Sequence, residues 1–281
     1  IRRDHSIITP KEIDLYLPEY SIGIECNPTY THNSSLPCYS NANPLSRNYH
    51  KDKTDLCESK GVFLFHIFGH EWIHNQDVIK SMIMNLIHAN NIRYYARNLS
   101  VVELSSSESK SFLDQNHRQK GVNCSIKLGL KTSSGELVSV MTFSKMRSTI
   151  GKSKSSDDFE LVRFCNKVNC SVVGGASKLF KYFLKKYHFN RIVSFSDRAH
   201  TRGGLYRTLG FKNISESDPG YVWVNTSNDT YYNRVTCQKQ NLRRLFKDET
   251  IDIKNKTEQQ IMVEHGFVQV FDSGTLTWEY C

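Results

Sequence analysis

Short apolar strands alternate with amphipathic helices along the chain, and this alternation constrains the fold more than any other feature. Residues 62–68 form an apolar run typical of a buried strand, and an apolar stripe with a period of 3.6 follows at about 75–89. The order recurs where a strand at 159–165 precedes a helix at 177–187 and a strand at 191–196. The pattern predicts an α/β (α+β) fold class. Every apolar run is far shorter than the ~20 residues of a membrane-spanning helix, so we expect no membrane partner.

The length of 281 residues allows two domains, since one domain commonly holds about 100–200 residues. We place the first domain at 1–95, where the stripe of the second helix has ended, and the second domain at 96–225. Residues 226–281 are expected to form a C-terminal extension with a basic helix near 234–247. A Lys/Ser-rich loop is expected at 147–156.

Basic residues are distributed unevenly along the chain. Residues 1–100 contain ten Lys or Arg and ten Asp or Glu, whereas residues 101–212 contain twenty and eight and carry a net charge of +12. Residues 213–281 carry −3, which gives the total of +9. A strongly basic segment favours a polyanionic partner, and we expect double-stranded DNA.

Two groups of basic residues are the expected DNA contacts, one on and after the predicted helix 177–187 and one on the basic helix near 234–247. Their side chains would bind backbone phosphates, which hold a duplex without identifying its sequence. The expected DNA-binding residues are Lys178, Lys181, Lys185, Lys186, Arg191, Arg198, Arg202, Arg207, Arg243 and Arg244.

Two carboxylates lie on the arms of a predicted β-hairpin. Residues 13–17 and 21–25 read as adjacent strands, which would bring Asp14 and Glu25 within a few ångströms of each other. Such a pair is what one Mg²⁺ or Mn²⁺ ion needs from a protein. His32 follows in a loop at 31–44. The pattern indicates a site for metal-dependent hydrolysis of phosphodiester bonds, although acids at strand ends are more often simply solvated.

A helix that ends near Gly61 supplies further candidates for this site. His50 and Lys53 are spaced i and i+3, so they project from the same face. An imidazole can move protons during hydrolysis and an ammonium can neutralise developing charge. The expected catalytic residues are therefore Asp14, Glu25, His32, His50 and Lys53, with Asp14 and Glu25 as the metal ligands.

Three stretches of this N-terminal region resemble homing endonucleases of phage type. They read IDLYLPEYSIGIECNPTYTH, RNYHKDKTDLCESKGVFLFHIFGHEW and DVIKSMIMNLI, and cover residues 13–87. The nuclease fold of that family is akin to the PD-(D/E)XK enzymes and the very-short-patch repair nuclease. The resemblance places the metal acids of the family on Asp14 and Glu25, its histidines on His32 and His50, and its lysine on Lys53. It implies a metal-dependent endonuclease that cuts double-stranded DNA.

The same resemblance leaves a second possibility open, namely a DNA-binding protein whose nuclease site has decayed. Asn27 stands at the lysine position of the wider nuclease motif, and Gly69 and His70 stand where acids are common.

A competing motif lies nearby, because residues 70–74 read His-Glu-Trp-Ile-His and match the zinc-protease pattern H-E-x-x-H. That chemistry requires both histidines on one helical face. We expect the helix to begin only at Asn75, which would leave the motif in the turn before it, so the match is interpreted as coincidental.

The region 97–225 resembles acetyltransferases of the GNAT type. Gly174-Gly175-Ala176 precedes a helix, and Leu205-Tyr206-Arg207-Thr208-Leu209-Gly210-Phe211 contains the Y-x-x-L-G-F pattern of that fold. In those enzymes the glycine loop holds the pyrophosphate of acetyl-CoA and a tyrosine such as Tyr206 protonates the leaving thiolate. The alternative function is therefore an N-acetyltransferase that uses acetyl-CoA, with Gly174, Gly175, Ala176 and Tyr206 as cofactor-binding residues.

The eight cysteines contain no C-x-x-C pair, and the chain opens without a basic and apolar leader. We therefore expect free thiols and a reducing cytoplasm, which would be the host cytoplasm if the gene is carried by a phage.

Overall fold

The computed structural model describes residues 2–34, 46–146 and 157–281 of the chain. They form two compact units, and each unit is assembled from separate stretches of sequence. Unit 1 holds the described residues of Ile1–His74, together with Asp197–Arg202 and Ser217–Thr275. Unit 2 holds the described residues of Asn75–Ser196, together with Gly203–Glu216 and Leu276–Cys281. This division differs from the sequence-based boundaries near 95 and 225, because most of the expected extension belongs to unit 1.

The secondary structure is mixed, as the alternation predicts. The strands are β1 (Arg2–Asp4), β2 (Ile13–Leu17), β3 (Ile22–Asn27), β4 (Phe63–Phe68), β5 (Ile92–Tyr95), β6 (Ser100–Glu103), β7 (Ile126–Lys131), β8 (Leu137–Lys145), β9 (Asp158–Asn166), β10 (Cys170–Val173), β11 (Arg191–Asp197), β12 (Lys212–Glu216), β13 (Tyr221–Asn225), β14 (Tyr231–Asn233), β15 (Phe267–Phe271) and β16 (Thr275–Tyr280). The helices are α1 (Tyr49–Ser59), α2 (Gly69–Leu86), α3 (Ser106–Asn116), α4 (Gly175–Lys186), α5 (Gly204–Leu209), α6 (Leu242–Phe246) and α7 (Glu258–Glu264).

The first sheet of unit 1 has the order β1-β2-β3-β4. Strands β2 and β3 form the predicted antiparallel hairpin, with Leu15 opposite Ile24, and β3 pairs with β4 in parallel through the crossover helix α1. Gly23 permits this close packing, since a Cβ at that position would lie 2.9 Å from side-chain atoms of both Ile13 and Leu64. The predicted helix is confirmed over Tyr49–Ser59, whereas most of the loop 31–44 lies outside the described residues.

A second sheet of unit 1 has the order β14-β13-β15 and is antiparallel throughout. Trp223 of this sheet is fully buried in a cluster with Cys237, Leu242 and Ile251. The basic helix predicted near 234–247 is wrong in length, because only Leu242–Phe246 is α-helical and a 3₁₀ turn at Lys239–Asn241 precedes it. The apolar side chains that anchor this segment are too widely spaced to form one helical stripe.

Helix α2 begins earlier than the sequence predicts. It spans Gly69–Leu86, and Asn75 interrupts it with a non-helical backbone (φ −141°, ψ 30°). Asn75 therefore separates a first helical stretch, at 69–74, from the predicted helix, which follows directly after it. The H-E-x-x-H residues at 70–74 consequently lie on a helical turn, which corrects the expectation that they lie in the turn before a helix.

Unit 2 contains a seven-stranded sheet in the order β12-β16-β11-β9-β8-β7-β6. The meander β6 to β9 is antiparallel, β9 and β11 are parallel, and β5 and β10 form a separate parallel pair. Phe143 and Phe183 stack at 3.8 Å in the core between this sheet and α4. The helix predicted at 177–187 is confirmed as Gly175–Lys186, while the loop expected at 147–156 lies outside the described residues. Within the described chain, no helix has both the length and the apolar character needed to cross a membrane.

Candidate active site

A polar cavity of about 470 Å³ opens in unit 1 beside the β2–β3 hairpin. It brings together four of the five catalytic residues that the sequence predicts, namely Asp14, Glu25, His32 and Lys53. The fifth, His50, lies behind His32 instead of lining the cavity. The full lining consists of His5, Pro10, Lys11, Glu12, Asp14, Glu25, Cys26, His32, Tyr49 and Lys53.

The hairpin register accounts for the two carboxylates. Because Leu15 pairs with Ile24, the next step toward the strand end places Asp14 opposite Glu25, and directly opposite residues of antiparallel strands share a face. Asp14 Oδ2 accepts a hydrogen bond of 2.8 Å from the backbone N–H of Cys26, which holds the carboxylate against β3. Both carboxylates line the cavity.

Glu25 is almost fully buried, with 3% of its surface exposed, and forms an ion pair with Lys53. Burial raises the pKa of Glu25 to about 7, and the charge of Asp14 adds to this rise, while the Lys53 ammonium acts against it. Glu25 Oε1 accepts a hydrogen bond from the Lys53 ammonium, whereas the buried Oε2 atom has no hydrogen-bond partner among the described residues.

The donor set of this cavity fits one hard divalent cation. The orphaned oxygen of Glu25 and the nearby carboxylate of Asp14 are the ligands that Mg²⁺ and Mn²⁺ favour, and Mg²⁺ commonly binds through one or two carboxylates and keeps several waters. Within 2–34, 46–146 and 157–281, no group of three or more His, Cys, Asp or Glu is placed to hold a metal by itself. Any cation here would therefore depend on water or substrate for its other ligands.

His32 and His50 form a stacked imidazole pair at one side of the cavity. His32 Nδ1 lies 3.2 Å from His50 Nε2, and the ring centroids are 5.4 Å apart. Burial lowers the pKa of His32 to about 4 and that of His50 to about 3, and the positive charge of Lys53 contributes to both shifts. Both rings are therefore neutral at physiological pH.

A buried hydrogen-bond network behind the site was not anticipated from the sequence. His66 is fully buried, with Nδ1 at 3.1 Å from the side-chain amide of Asn27 and Nε2 at 2.9 Å from Thr54 Oγ1. The Thr54 hydroxyl donates to Ser273 Oγ at 3.0 Å. Asn27 therefore anchors the end of β3 to the protein interior. Thr54 directly follows Lys53 on α1, but nothing in the sequence indicates Ser273 as its partner.

Tyr49 is a residue of the cavity that the sequence did not predict. It begins α1, lines the cavity, and contacts His32 edge to face at 5.7 Å. Lys11 lies over its ring at 5.4 Å and lines the same cavity. The rim thus carries a cation and an aromatic face beside the carboxylates.

The H-E-x-x-H residues make contacts outside the cavity. His70 and His74 both pack against Tyr231, at 4.9 and 5.7 Å between ring centroids. Glu71 Oε2 lies 3.1 Å from His200 Nε2, so the glutamate of the motif is engaged with another side chain. The coincidental nature of the zinc motif stays a prediction.

Several of the basic residues expected to bind DNA are committed to contacts within the protein. Arg198 is 3% exposed and pairs with Asp55 and Glu58 at 2.6 Å each, so it is not available to DNA. This corrects its assignment, since a charge count along the sequence does not show the acids that fold against it. Arg191 likewise pairs with Asp158 at 3.0 Å.

Other basic residues of the predicted set also form hydrogen bonds or ion pairs within the protein. Lys178 donates to the carbonyls of Ala96 and Leu99 at 2.8 and 2.5 Å, and Arg243 donates to the Ile251 carbonyl at 3.0 Å. Arg202 donates to the Ser21 carbonyl at 2.9 Å, and Lys186 pairs with Glu103. Arg207 lies over the ring of Trp278 and remains exposed, as does Arg244.

Lys181 and Lys185 are exposed on α4 and line a groove of about 440 Å³ in unit 2. Arg97 and Lys178 contribute further positive charge to this groove, and Tyr182 contributes an aromatic side chain. The groove is therefore a basic concavity on unit 2.

The glycine loop of unit 2 has the conformation that a tight strand-to-helix turn requires. Gly174 caps α4 with φ +74°, a value that other residues rarely adopt, and Gly175 and Ala176 form the first turn. Tyr206, however, is buried and stacks on Trp278, and its hydroxyl donates to the Phe195 carbonyl at 3.1 Å. Burial raises the pKa of Tyr206.

Comparison with known proteins gives no independent assignment. Neither the models of protein families nor the curated proteins contain a match to this chain. The function must therefore be argued from the side chains of the cavity and the basic surface.

Proposed function

We propose that the protein is a metal-dependent endonuclease that hydrolyses phosphodiester bonds of double-stranded DNA in the cavity of unit 1. The observation that carries this proposal is the pair Asp14 and Glu25, held side by side in one cavity with Lys53 and His32. Two acids, a buried ammonium and a neutral imidazole supply a cation site, charge neutralisation and a proton acceptor. The resemblance to phage-type homing endonucleases supports the same activity.

Asp14 and Glu25 would hold Mg²⁺ or Mn²⁺. The orphaned Oε2 atom of Glu25 supports this, because a buried carboxylate oxygen without a partner is costly unless a cation satisfies it. A divalent ion bound there supplies Lewis acidity, which favours attack by water on phosphorus and stabilises charge on the leaving oxygen.

Lys53 compensates for the absence of a lysine at position 27. It reaches Glu25 from α1, so an ammonium is present in the site although β3 ends in Asn27. The ammonium keeps the Glu25 carboxylate oriented and adds positive charge where a phosphodiester would bind. His32 is neutral and lines the cavity, so it is available to accept a proton from an attacking water.

DNA would be held mainly by exposed basic residues through backbone phosphates. Lys181 and Lys185 in the groove of unit 2, with Arg207 and Arg244, are the members of the predicted set that best retain this role. An acetyltransferase role for unit 2 is less well supported, because the Tyr206 hydroxyl is committed to the Phe195 carbonyl.

Cleavage of supercoiled plasmid in Mg²⁺, Mn²⁺ or EDTA tests the proposal. We expect nicking that EDTA abolishes, and a loss of at least about 100-fold in Asp14→Asn and Glu25→Gln. Glu19→Gln is the matched control, since Glu19 is exposed on the turn of the same hairpin and we expect full activity. Undiminished cleavage in both active-site variants would contradict the assignment. DNA binding without cleavage by the wild-type protein would instead identify a decayed nuclease.

A further inference from the structure

We infer that Lys11 binds a phosphodiester of the substrate in the cavity of unit 1, and that Tyr49 positions the Lys11 ammonium for this contact. The inference rests on the proposed function only for the identity of the substrate as DNA. The chemistry of the ligand, a singly charged phosphodiester, follows from the charges and contacts of the cavity.

The basic groups that line the cavity differ in their partners. Lys53 forms its ion pair with Glu25. Glu12, the acid next to Lys11 in the sequence, places its carboxylate 3.2 Å from the imidazole of His5. Lys11 itself forms no ion pair with an acid in the described part of the chain. The positive charge of Lys11 is therefore available to an anion that enters the cavity.

The ring of Tyr49 holds the Lys11 ammonium at the cavity. The Lys11 Nζ atom lies 5.4 Å from the centroid of this ring, within the range of a cation–π interaction. The same ring contacts His32 edge to face at 5.7 Å, so one aromatic side chain connects Lys11 with the proposed proton acceptor. A ring attracts an ammonium without neutralising it, whereas a carboxylate would cancel its charge.

The backbone that carries Lys11 is fixed by the segment before it. Asp4 is 4% exposed, and its Oδ1 atom accepts hydrogen bonds of 2.9 and 3.0 Å from the N–H groups of Ser6 and Ile7. Ile8 is 1% exposed in the apolar core, and its carbonyl accepts a hydrogen bond of 2.9 Å from the N–H of Lys11. The Lys11 side chain therefore starts from a fixed point of the cavity wall, which lowers the entropic cost of binding through it.

The charge balance of the cavity favours a further cation. Asp14 and Glu25 repel a phosphodiester, and the ion pair with Lys53 offsets only one of these two negative charges. Lys11 adds a positive charge that no protein carboxylate consumes, and its N–H groups can donate to a non-bridging phosphate oxygen. Such a contact forms with substrate and transition state alike, so it lowers KM and leaves kcat nearly unchanged.

Titration of the full-length protein with dimethyl phosphate, the smallest dialkyl phosphodiester, tests the contact without DNA. ¹H–¹³C spectra of the ¹³C-labelled protein are recorded in Mg²⁺ at constant ionic strength, and Lys11→Arg identifies the Lys11 Cε resonance by its loss. We expect this resonance to shift with saturation, whereas that of Lys60, which is exposed and does not line the cavity, should not shift. No shift at Lys11, or an equal drift of both resonances, would overturn the inference even if the protein cuts DNA.

Cleavage kinetics with a duplex oligonucleotide test the consequence for the substrate. Lys11→Gln should raise KM about tenfold, the effect of losing one charge-assisted hydrogen bond, and change kcat by less than about threefold. Lys60→Gln is the matched control and should change neither. An equal KM in wild type and Lys11→Gln would overturn the inference while leaving the nuclease proposal intact. If the wild-type protein does not cut DNA, the nuclease proposal fails, and the titration with dimethyl phosphate still decides the role of Lys11.

Substitutions at position 49 test the positioning role. Tyr49→Phe keeps the ring and should keep KM within about twofold, whereas Tyr49→Leu should raise KM about three- to fivefold. In a Lys11→Gln background Tyr49→Leu should raise KM no further, because the ring acts on the substrate only through the ammonium. A further rise there, or equal losses in the Phe and Leu variants, would overturn the role of Tyr49. If Tyr49→Leu does not fold, the ring-current shift of the Lys11 Hε protons in the wild-type protein decides, and its absence would exclude the contact.

Discussion

Lys53 reaches from α1 to the carboxylate of Glu25, and each side chain of this pair is only 4% exposed. A pair withdrawn from water to this degree is costly to form, and breaking it leaves a buried charge without compensation. This ion pair lies at the edge of a polar cavity, and a role in the candidate active site explains it better than a contribution to the stability of the fold.

The first prediction concerns the removal of this ammonium. Lys53→Met should lower the free energy of unfolding by about 3 kcal/mol at pH 8, because Glu25 then remains buried without a partner. The loss should be smaller at pH 6, because the pKa of Glu25 is about 7 even with Lys53 present, so the carboxyl is already mostly protonated at pH 6 and depends less on the ammonium. Urea unfolding at both pH values measures the effect. Lys51→Met is the control, because Lys51 forms a partly exposed pair with Asp55 on the same helix and should cost less than about 1 kcal/mol at either pH.

The second prediction concerns stability in acid. The pKa of His50 is lowered to about 3, below the value of about 6.5 in an unfolded chain, so the unfolded state binds the extra proton between these values. The stabilisation is complete above pH 6.5 and is lost as the pH falls toward 3, by up to about 1.4 kcal/mol per pH unit. His50→Gln should remove this contribution to the slope, whereas His188→Gln should not, since His188 is exposed. Urea-dependent hydrogen exchange of α1 amides between pH 7 and 5 measures the pH dependence of stability in both variants. Identical slopes in the two variants would contradict the role of His50 in the loss of stability in acid.

The third prediction concerns cation binding and pH. A cation competes with a proton for Glu25, so the apparent affinity for Mn²⁺ should rise between pH 6 and 8, by up to about tenfold per unit below the pKa of about 7. Calorimetry with Mn²⁺ alone measures this. Glu25→Gln should bind weakly, with a smaller pH dependence, whereas Glu19→Gln should behave as the wild type. Equal affinity at pH 6 and pH 8 would argue against Glu25 as a ligand.

The fourth prediction concerns salt. Each phosphate neutralised by a basic residue contributes about −0.9 to the slope of log affinity against log salt concentration. Lys181→Glu combined with Lys185→Glu should weaken binding to all duplex sequences alike and flatten this slope. Lys110→Glu reverses a charge on α3, where Lys110 pairs with Asp114, and should leave the slope nearly unchanged. Binding titrations at several salt concentrations distinguish the two, and an equal effect of both changes would exclude the groove as the contact.

The fifth prediction concerns the acetyltransferase alternative. Tyr206→Phe removes the hydrogen bond to the Phe195 carbonyl and should cost about 1 kcal/mol in stability while leaving DNA cleavage nearly unchanged. Calorimetry with acetyl-CoA is the deciding measurement. Tight stoichiometric binding, with acyl transfer lost in Tyr206→Phe, would assign the enzyme activity to unit 2.

The parts of the site that the sequence predicts are those fixed by local geometry. The alternation of residues 13–17 and the short turn after it determine the hairpin, and the hairpin places Asp14 beside Glu25. The i and i+3 spacing likewise places His50 and Lys53 on one face of α1. Both placements follow from the spacing of residues that are close together in the sequence.

The parts that the sequence does not predict depend on residues far away along the chain. Thr54 donates a hydrogen bond to Ser273, and Arg198 is neutralised by Asp55 and Glu58. Periodicity indicates that a helix such as α1 is present, but it does not indicate which distant residues the side chains of that helix will contact. The same lack of long-range information made Arg198 resemble a surface charge.

The assembly of unit 1 from separated segments has a consequence for fragment design. A polypeptide that stops at residue 95 includes Asp14, Glu25, His32, His50 and Lys53, yet lacks the Ser273 hydroxyl that accepts a hydrogen bond from Thr54 behind the cavity. Such a fragment would carry every candidate side chain of the cavity without part of the interior that supports them. A fragment meant to reproduce the cavity therefore has to include residues 217–275 as well.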